Sequence, residues 1–184
     1  ILFVTVDSLR SDHVSCCNPD SPVETPNVDS LASDGIAFTN AFAQGPFTTF
    51  SMPSLFTARY PSGLHYTSHD DGGIVGVAIE DERTIVEAFA AAGYATAGFH
   101  SNPLLTDLFN FDRGFDTFDA DMPLRTSDVS KPALLLTKAR RLLRKHAYLP
   151  AEKLTEKSAA WAEEQVDDDP FFLWAHYMDP HGPY

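Results

Sequence analysis

The 184 residues are enough for one ordinary domain with a hydrophobic core. Hydrophobic residues make up 43% and charged residues 21%, the balance of a globular protein, and no apolar run approaches the ~20 residues that cross a bilayer. A net charge of −13, from 26 acidic against 13 basic residues, excludes a general nucleic-acid binder and suits an acidic or a salt-adapted enzyme equally.

Residues 1–6 are nearly all apolar and rich in β-branched side chains, which predicts a central strand buried on both faces, ended by Asp7 and Ser8. That run is too short for a signal-peptide core and lacks a basic flank. The chain opens without Met and reads as a piece of a longer protein, with a cytoplasmic and a cell-surface setting both open. Cys16 and Cys17 are adjacent, which indicates neither a disulfide framework nor a structural zinc site.

Thr25 and Pro26 open a helix carrying Val28, Leu31 and Ala32, which Gly35 stops. Residues 36–42 alternate apolar and small polar side chains and read as a strand. Residues 54–58 read as a short helix, with Ser51 as a cap and Pro53 in the first turn. Residues 62–73, rich in Gly, His and Asp, read as a loop. Its His65 and His69, beside Asp70 and Asp71, suit either a metal or an ordinary surface loop.

Residues 84–92 form an amphipathic helix ended by Gly93, and 94–99 follow as a strand. A helix leading by a short turn into a strand is half of a βαβ unit and predicts a parallel sheet. Residues 131–148 and 151–166 read as two helices separated at Pro150, and 171–177 as another buried strand. The whole is one α/β domain, a mostly parallel central sheet with helices on both faces, incomplete at its C-terminal end.

More than half of the Lys and Arg lie between residues 124 and 145, so helix 131–148 is basic and amphipathic. Such a helix contacts an anionic membrane surface or substrate, or docks with its charges in solvent.

In open parallel sheets, ligands bind at the carboxyl ends of strands. Asp7 stands at one such end, and Asp179 and His181 follow another. A carboxylate there holds a hard cation or simply caps the next turn. Thr48, Thr49, Ser51 and Ser54 place hydroxyls around a helix start, where free N–H groups and the dipole favour a tetrahedral anion. The alternative is a helix whose hydroxyls only satisfy its own backbone. If Asp7 and Thr48 belong to one site, they must meet although 41 positions separate them.

Several segments, in order, resemble the sulfatase family of the alkaline phosphatase superfamily. Val4 through His13 resembles its opening strand and metal-binding acid. Thr25 through Ala32 is similar to its TPN-x-D-x-LA segment, and Phe38 through Phe42 to its F-x-N-A-[YF] strand. Ser54 through Pro61 resembles SLLTGRYP, Gly114 through Phe118 GFD-x-F, and His176 through Pro183 H-x-x-x-PH-x-P. The resemblance covers nearly the whole chain, which makes residues 1–184 the N-terminal part of a single sulfatase-like catalytic domain.

It implies a divalent metal (Ca, Mg, Mn or Zn) held by Asp7 and Thr48, with the later ligands beyond Tyr184. It implies Thr48 as nucleophile with Ser51 beside it, and His181, Asn102 and His100 as groups that meet an anionic ester substrate. Departures are equally informative. The family's C-x-P-S-R begins here at Thr48, which cannot become formylglycine by the usual maturation, and Met52 replaces the Arg. Ser8 replaces a second Asp, and His100, Ser101 and Asn102 stand for K-W-H without the Lys. A Thr nucleophile is that of the superfamily's phosphodiesterases and phosphoglycerol transferases, so phosphorus esters are the favoured substrates. A degenerate, non-catalytic domain that binds anionic glycans or lipid headgroups is the alternative.

Overall fold

The computed structural model describes residues 1–64, 67–69, 74–76, 78–121, 148–165 and 170–182. Four strands build the main sheet: β1 (Leu2–Val6), β4 (Ala95–His100), β5 (Thr117–Ala120) and β6 (Phe171–Tyr177). Their spatial order is β1-β6-β4-β5, and every pairing is parallel. Parallel neighbours need crossovers; the helices are α1 (Pro26–Asp34), α2 (Thr48–Thr57), α3 (Ile85–Ala91) and α4 (Ala151–Glu164), while β4 and β5 are joined through a segment whose helical part is the 3-10 turn Asp107–Phe109. A small antiparallel ribbon, β2 (Thr67–His69) with β3 (Ile74–Gly76), occupies part of what the sequence suggested was a loop.

Alternation along β6 divides the core between the two faces of the sheet. Phe172 and Trp174 point to one side, where Met52 and Phe56 of α2 and Val86 of α3 pack on them. Phe56 meets Trp174 edge to face at 4.8 Å. Leu173 and Ala175 point to the other side with Ala97 and Phe99, under Leu154 and Trp161 of α4. Helices therefore cover both faces, as the pattern of apolar runs implied.

The rows of the sheet carry the site. Phe3, Trp174, Gly98 and Phe118 lie in register across the four strands. Gly98 leaves room there for Phe115, whose ring would stand 3.0 Å from any added Cβ. Two residues on towards the carboxyl ends, Thr5, His176 and His100 form a polar row on the same face.

Three expectations are corrected. β1 is not a central strand buried on both faces: among the described residues it pairs only with β6, and Leu2, Val4 and Val6 are 63%, 48% and 36% exposed. Among the described residues, the core cluster under α4 takes in residues of β6 and β4 and none of β1. Residues 36–42 form no strand, because among the described residues they find no partner ladder, and Ile36, Phe38 and Phe42 stay exposed.

The helix expected at 54–58 starts earlier, at Thr48, with Phe47 as its extended N-cap residue. Ser51 is not its cap. It sits in the first turn, its hydroxyl donating back to the Phe47 carbonyl at 3.1 Å, and Pro53 lies inside the helix. The basic segment 131–148, apart from Tyr148, and the side chains of His65, His69, Asp70 and Asp71 lie outside the described residues.

Candidate active site

Three chain segments deliver polar groups to the carboxyl edge of the sheet: the end of β1, the turn after β4 and the end of β6. The start of α2 faces them. Asp7 is held by its backbone, its N–H donating to the Tyr177 carbonyl at 2.9 Å in continuation of the β1–β6 ladder. The chain then turns through Ser8, which adopts a left-handed φ of 59°. That turn brings the Ser8 hydroxyl back to donate to Asp7 Oδ1 at 3.0 Å.

The other carboxylate oxygen collects the distant groups. Thr48 Oγ1 donates to Asp7 Oδ2 at 3.1 Å, and so does Asn102 Nδ2 at 3.1 Å. His176 Nε2 lies 3.7 Å from the same oxygen. Thr48 is the first residue of a 10-residue helix, so its hydroxyl sits where the backbone N–H groups lack helical partners. Burial pushes Asp7 up. The polar groups that face it, His176, Ser8 and Thr48, outweigh that and hold it at about 2. Asp7 is thus a carboxylate at neutral pH, with only 14% of its side chain exposed.

The remaining expected residues sit differently. His100 is fully buried and Asn102 is 2% exposed, so neither has surface to offer a substrate. His100 Nδ1 accepts the Asn102 backbone N–H at 3.2 Å, while its Nε2 has no hydrogen-bond partner among the described residues. Asn102 spends its side chain on Asp7, on the Leu104 N–H at 2.9 Å and on Met178 Sδ at 3.4 Å. Its geometry is that of a brace for Asp7. Ser51 is committed to the backbone of its own helix turn.

His181 lies in the turn after β6, partly exposed, its Nδ1 donating to the Gly182 carbonyl at 2.6 Å. The Tyr148 ring stands edge-on to it.

Thr5 and His176 carry no assigned role in the sequence reading, yet they complete the shell around Asp7. Both are polar side chains inside otherwise apolar strands, and His176 also opens the H-x-x-x-PH-x-P segment. A buried polar group must find partners.

The donors fit a hard cation: Asp7, Thr48 and Ser8 offer only oxygen, the ligand type of calcium and magnesium. Among the described residues no group of three or more His, Cys, Asp and Glu converges.

The fold is thus a parallel α/β sheet with an acid at the end of β1 facing a hydroxyl at a helix start. The model of the Sulfatase family matches residues 1–184, and the chain belongs to that family. It is 28% identical over 198 residues to human iduronate 2-sulfatase, covering 100% of this chain and 35% of that protein. It is 35% identical over 97 residues to an arylsulfatase of Clostridium perfringens, 52% of this chain and 19% of the relative. Among solved structures, BT4656 in complex with its substrate D-glucosamine-2-N,6-O-disulfate superposes with a TM-score of 0.69 at 19% identity, over 98% of this chain and 34% of that one. The chain therefore spans about a third of the length of the full-length relative it matches end to end.

Proposed function

We propose that residues 1–184 are the nucleophile-bearing N-terminal part of a single catalytic domain, a metal-dependent ester hydrolase or transferase. Thr48 attacks a sulfate- or phosphate-type ester, and phosphorus esters are preferred. One observation carries the reading: the Thr48 hydroxyl, at the start of α2, donates to Asp7 at 3.1 Å across 41 positions of sequence. The paired nucleophile and acid favour catalysis over a binding-only domain.

Asp7 stays charged and fixes the direction of the Thr48 hydroxyl. At a pKa of about 2 it is too weak a base to take the proton unaided. A divalent cation (Ca, Mg, Mn or Zn) bound by Asp7 and Thr48 would lower the pKa of that hydroxyl and offset charge on the transferring group. In the transfer the Thr48 oxygen forms a bond to phosphorus or sulfur as the bond to the in-line alcohol oxygen breaks, the Thr48 proton passing to water and the departing alkoxide taking one up from water. The N–H groups of the first turn of α2 face the anion. His181 contacts the anionic ester from the turn after β6.

The preference for phosphorus follows from position 48. Formylglycine hydrate has a second hydroxyl that expels sulfate from the covalent adduct by breaking the C–O bond. A sulfated threonine has no such geminal hydroxyl, and formylglycine does not form on Thr. A phosphorylated Thr48 is instead open to in-line attack by water or an acceptor alcohol, which regenerates the hydroxyl.

The test uses the full-length protein with aryl phosphate, phosphodiester and aryl sulfate substrates, with and without EDTA. Phosphoester turnover that EDTA removes, a phosphate adduct on Thr48 in quenched samples, and loss of both in Thr48→Ala are the expected results. Efficient sulfate-ester turnover with no phosphoesterase activity would overturn the preference. Undiminished turnover in Thr48→Ala would overturn the nucleophile.

A further inference from the structure

Cys16 and Cys17 take no part in the chemistry built on Asp7 and Thr48, and both side chains are exposed. Their sulfurs are 4.0 Å apart, within S–H···S reach of each other. Adjacent residues of a helical turn leave the axis about 100° apart, so their side chains ordinarily diverge. Here the two thiols converge.

The backbone under the pair is held firmly. The Cys16 N–H donates to Asp29 Oδ1 at 2.9 Å. The Cys17 and Asn18 N–H groups both donate to the carbonyl of buried Val14, at 2.9 Å and 3.0 Å. Ser15 is tied to the start of α1: its hydroxyl donates to Asp29 Oδ2 at 2.6 Å and its N–H to Thr25 Oγ1 at 3.0 Å. Asp29 lies in the first turn of α1, so that helix anchors the turn from which both thiols emerge.

Two thiols are too few for a structural zinc, which takes four protein ligands. They suit a soft centre that brings a group of its own and needs two sulfurs from the protein. Protonation narrows the class. Desolvation, then the Cys17 thiol and the Asp29 carboxylate, push the Cys16 thiol above its ordinary value, so it keeps its proton at neutral pH. A metal cation binds thiolate and must first expel that proton. The oxide of a trivalent arsenical removes it within the reaction itself.

We propose that Cys16 and Cys17 form a dithiol site for a trivalent arsenical of the type R–As=O. Two As–S bonds form as the As=O bond breaks, and both thiol protons leave on the oxygen as water. Arsenic stays trivalent, so no oxidant or reductant enters. After the first As–S bond the second is intramolecular, because the other sulfur waits 4.0 Å away. Linking two binding events in this way strengthens binding ~100–10,000-fold over one thiol. The site uses neither Asp7 nor Thr48, so it stands or falls separately from the catalytic reading.

The test uses the full-length protein, reduced with a phosphine that is then removed, and phenylarsine oxide as the probe. Peptide mass mapping should find one phenylarsenic group bridging Cys16 and Cys17, with two hydrogens lost. The adduct should survive mercaptoethanol, a monothiol, and come off with dimercaptopropanol, which offers arsenic a chelate of its own. Cys16→Ser and Cys17→Ser should each bind the probe at this peptide ~100-fold more weakly or worse, and release it to mercaptoethanol. Both positions are exposed, so melting temperatures should match the parent. A parent peptide without the bridged adduct, or single variants that hold the arsenical as tightly as the parent, would overturn the proposal. Should a variant fail to fold, the mercaptoethanol challenge of the parent decides alone: release there overturns the chelate.

Discussion

Asp7 and His100 stand two strands apart and face opposite electrostatic problems. Asp7 gives up solvent but gains several donors, so its charged form is favoured and its pKa falls to about 2. His100 loses all solvent. Burial pushes its pKa down to about 3, so it stays neutral. With Nδ1 accepting from the Asn102 N–H, its Nε2 proton is surrounded by the rings of Phe118 and Trp174.

A pH dependence follows from His100. The unfolded chain takes up a proton near pH 6.5 and the folded chain does not, so stability is lost as pH falls from about 6.5 towards 3. The slope from this residue is ~1.4 kcal/mol per pH unit. Asp7 acts in the same direction lower down, between about 4 and 2. Urea titrations of parent and His100→Phe at pH 7, 5.5 and 4.5 should converge as pH falls, the variant losing the steeper part of the decline. Parallel curves for the two proteins would refute the assignment.

At the scale of elements, α3 shows what local chemistry can do. Thr84 accepts from the Glu87 N–H at 3.0 Å and Glu87 returns to the Thr84 N–H at 2.8 Å, a reciprocal cap. Arg113 then grips the same Glu87 carboxylate at 2.8 Å from the turn before β5. Gly114, next in chain, has φ +86°, and a Cβ there would stand 2.6 Å from the Glu87 backbone nitrogen. Thr84→Ala should therefore cost ~1 kcal/mol. Gly114→Ala should cost more, since ~1–2 kcal/mol of left-handed strain adds to the clash. Equilibrium unfolding of both variants checks the order, and a neutral Gly114→Ala would contradict the close approach. The start and stop of α3 were legible because Thr84, Glu87 and Gly93 act within a few residues. Residues 36–42 carry an equally clear alternation and form no strand, because a strand exists only through the neighbour it pairs with.

For the molecule as a whole, the sheet is well covered except along β1. Leu2, Val4 and Val6 form an apolar row on an edge whose backbone pairs on one side only among the described residues. Such an edge recruits further chains. Residues 1–184 produced alone should self-associate at micromolar concentration, and Val4→Lys should shift the population towards monomer. Light scattering coupled to size exclusion measures both. A monomeric parent fragment would show that this row is too small to drive association.

Much of the architecture could be read from the sequence, because apolar periodicity and caps are local. The runs at 1–6, 94–99 and 171–177 already implied a parallel sheet with its chemistry at the carboxyl edge, and Asp7 and Thr48 stood out by residue type and by resemblance to sulfatases. What the tertiary structure alone decided was pairing. It set β1 at the edge of the described sheet, and it turned His100 and Asn102 inward. It also brought Thr5, Trp174 and His176, up to 171 positions apart, into one hydrogen-bonded group beside Asp7. A side chain's type follows from its codon, whereas its neighbour across a parallel sheet depends on how distant segments cross over. No local pattern encodes that.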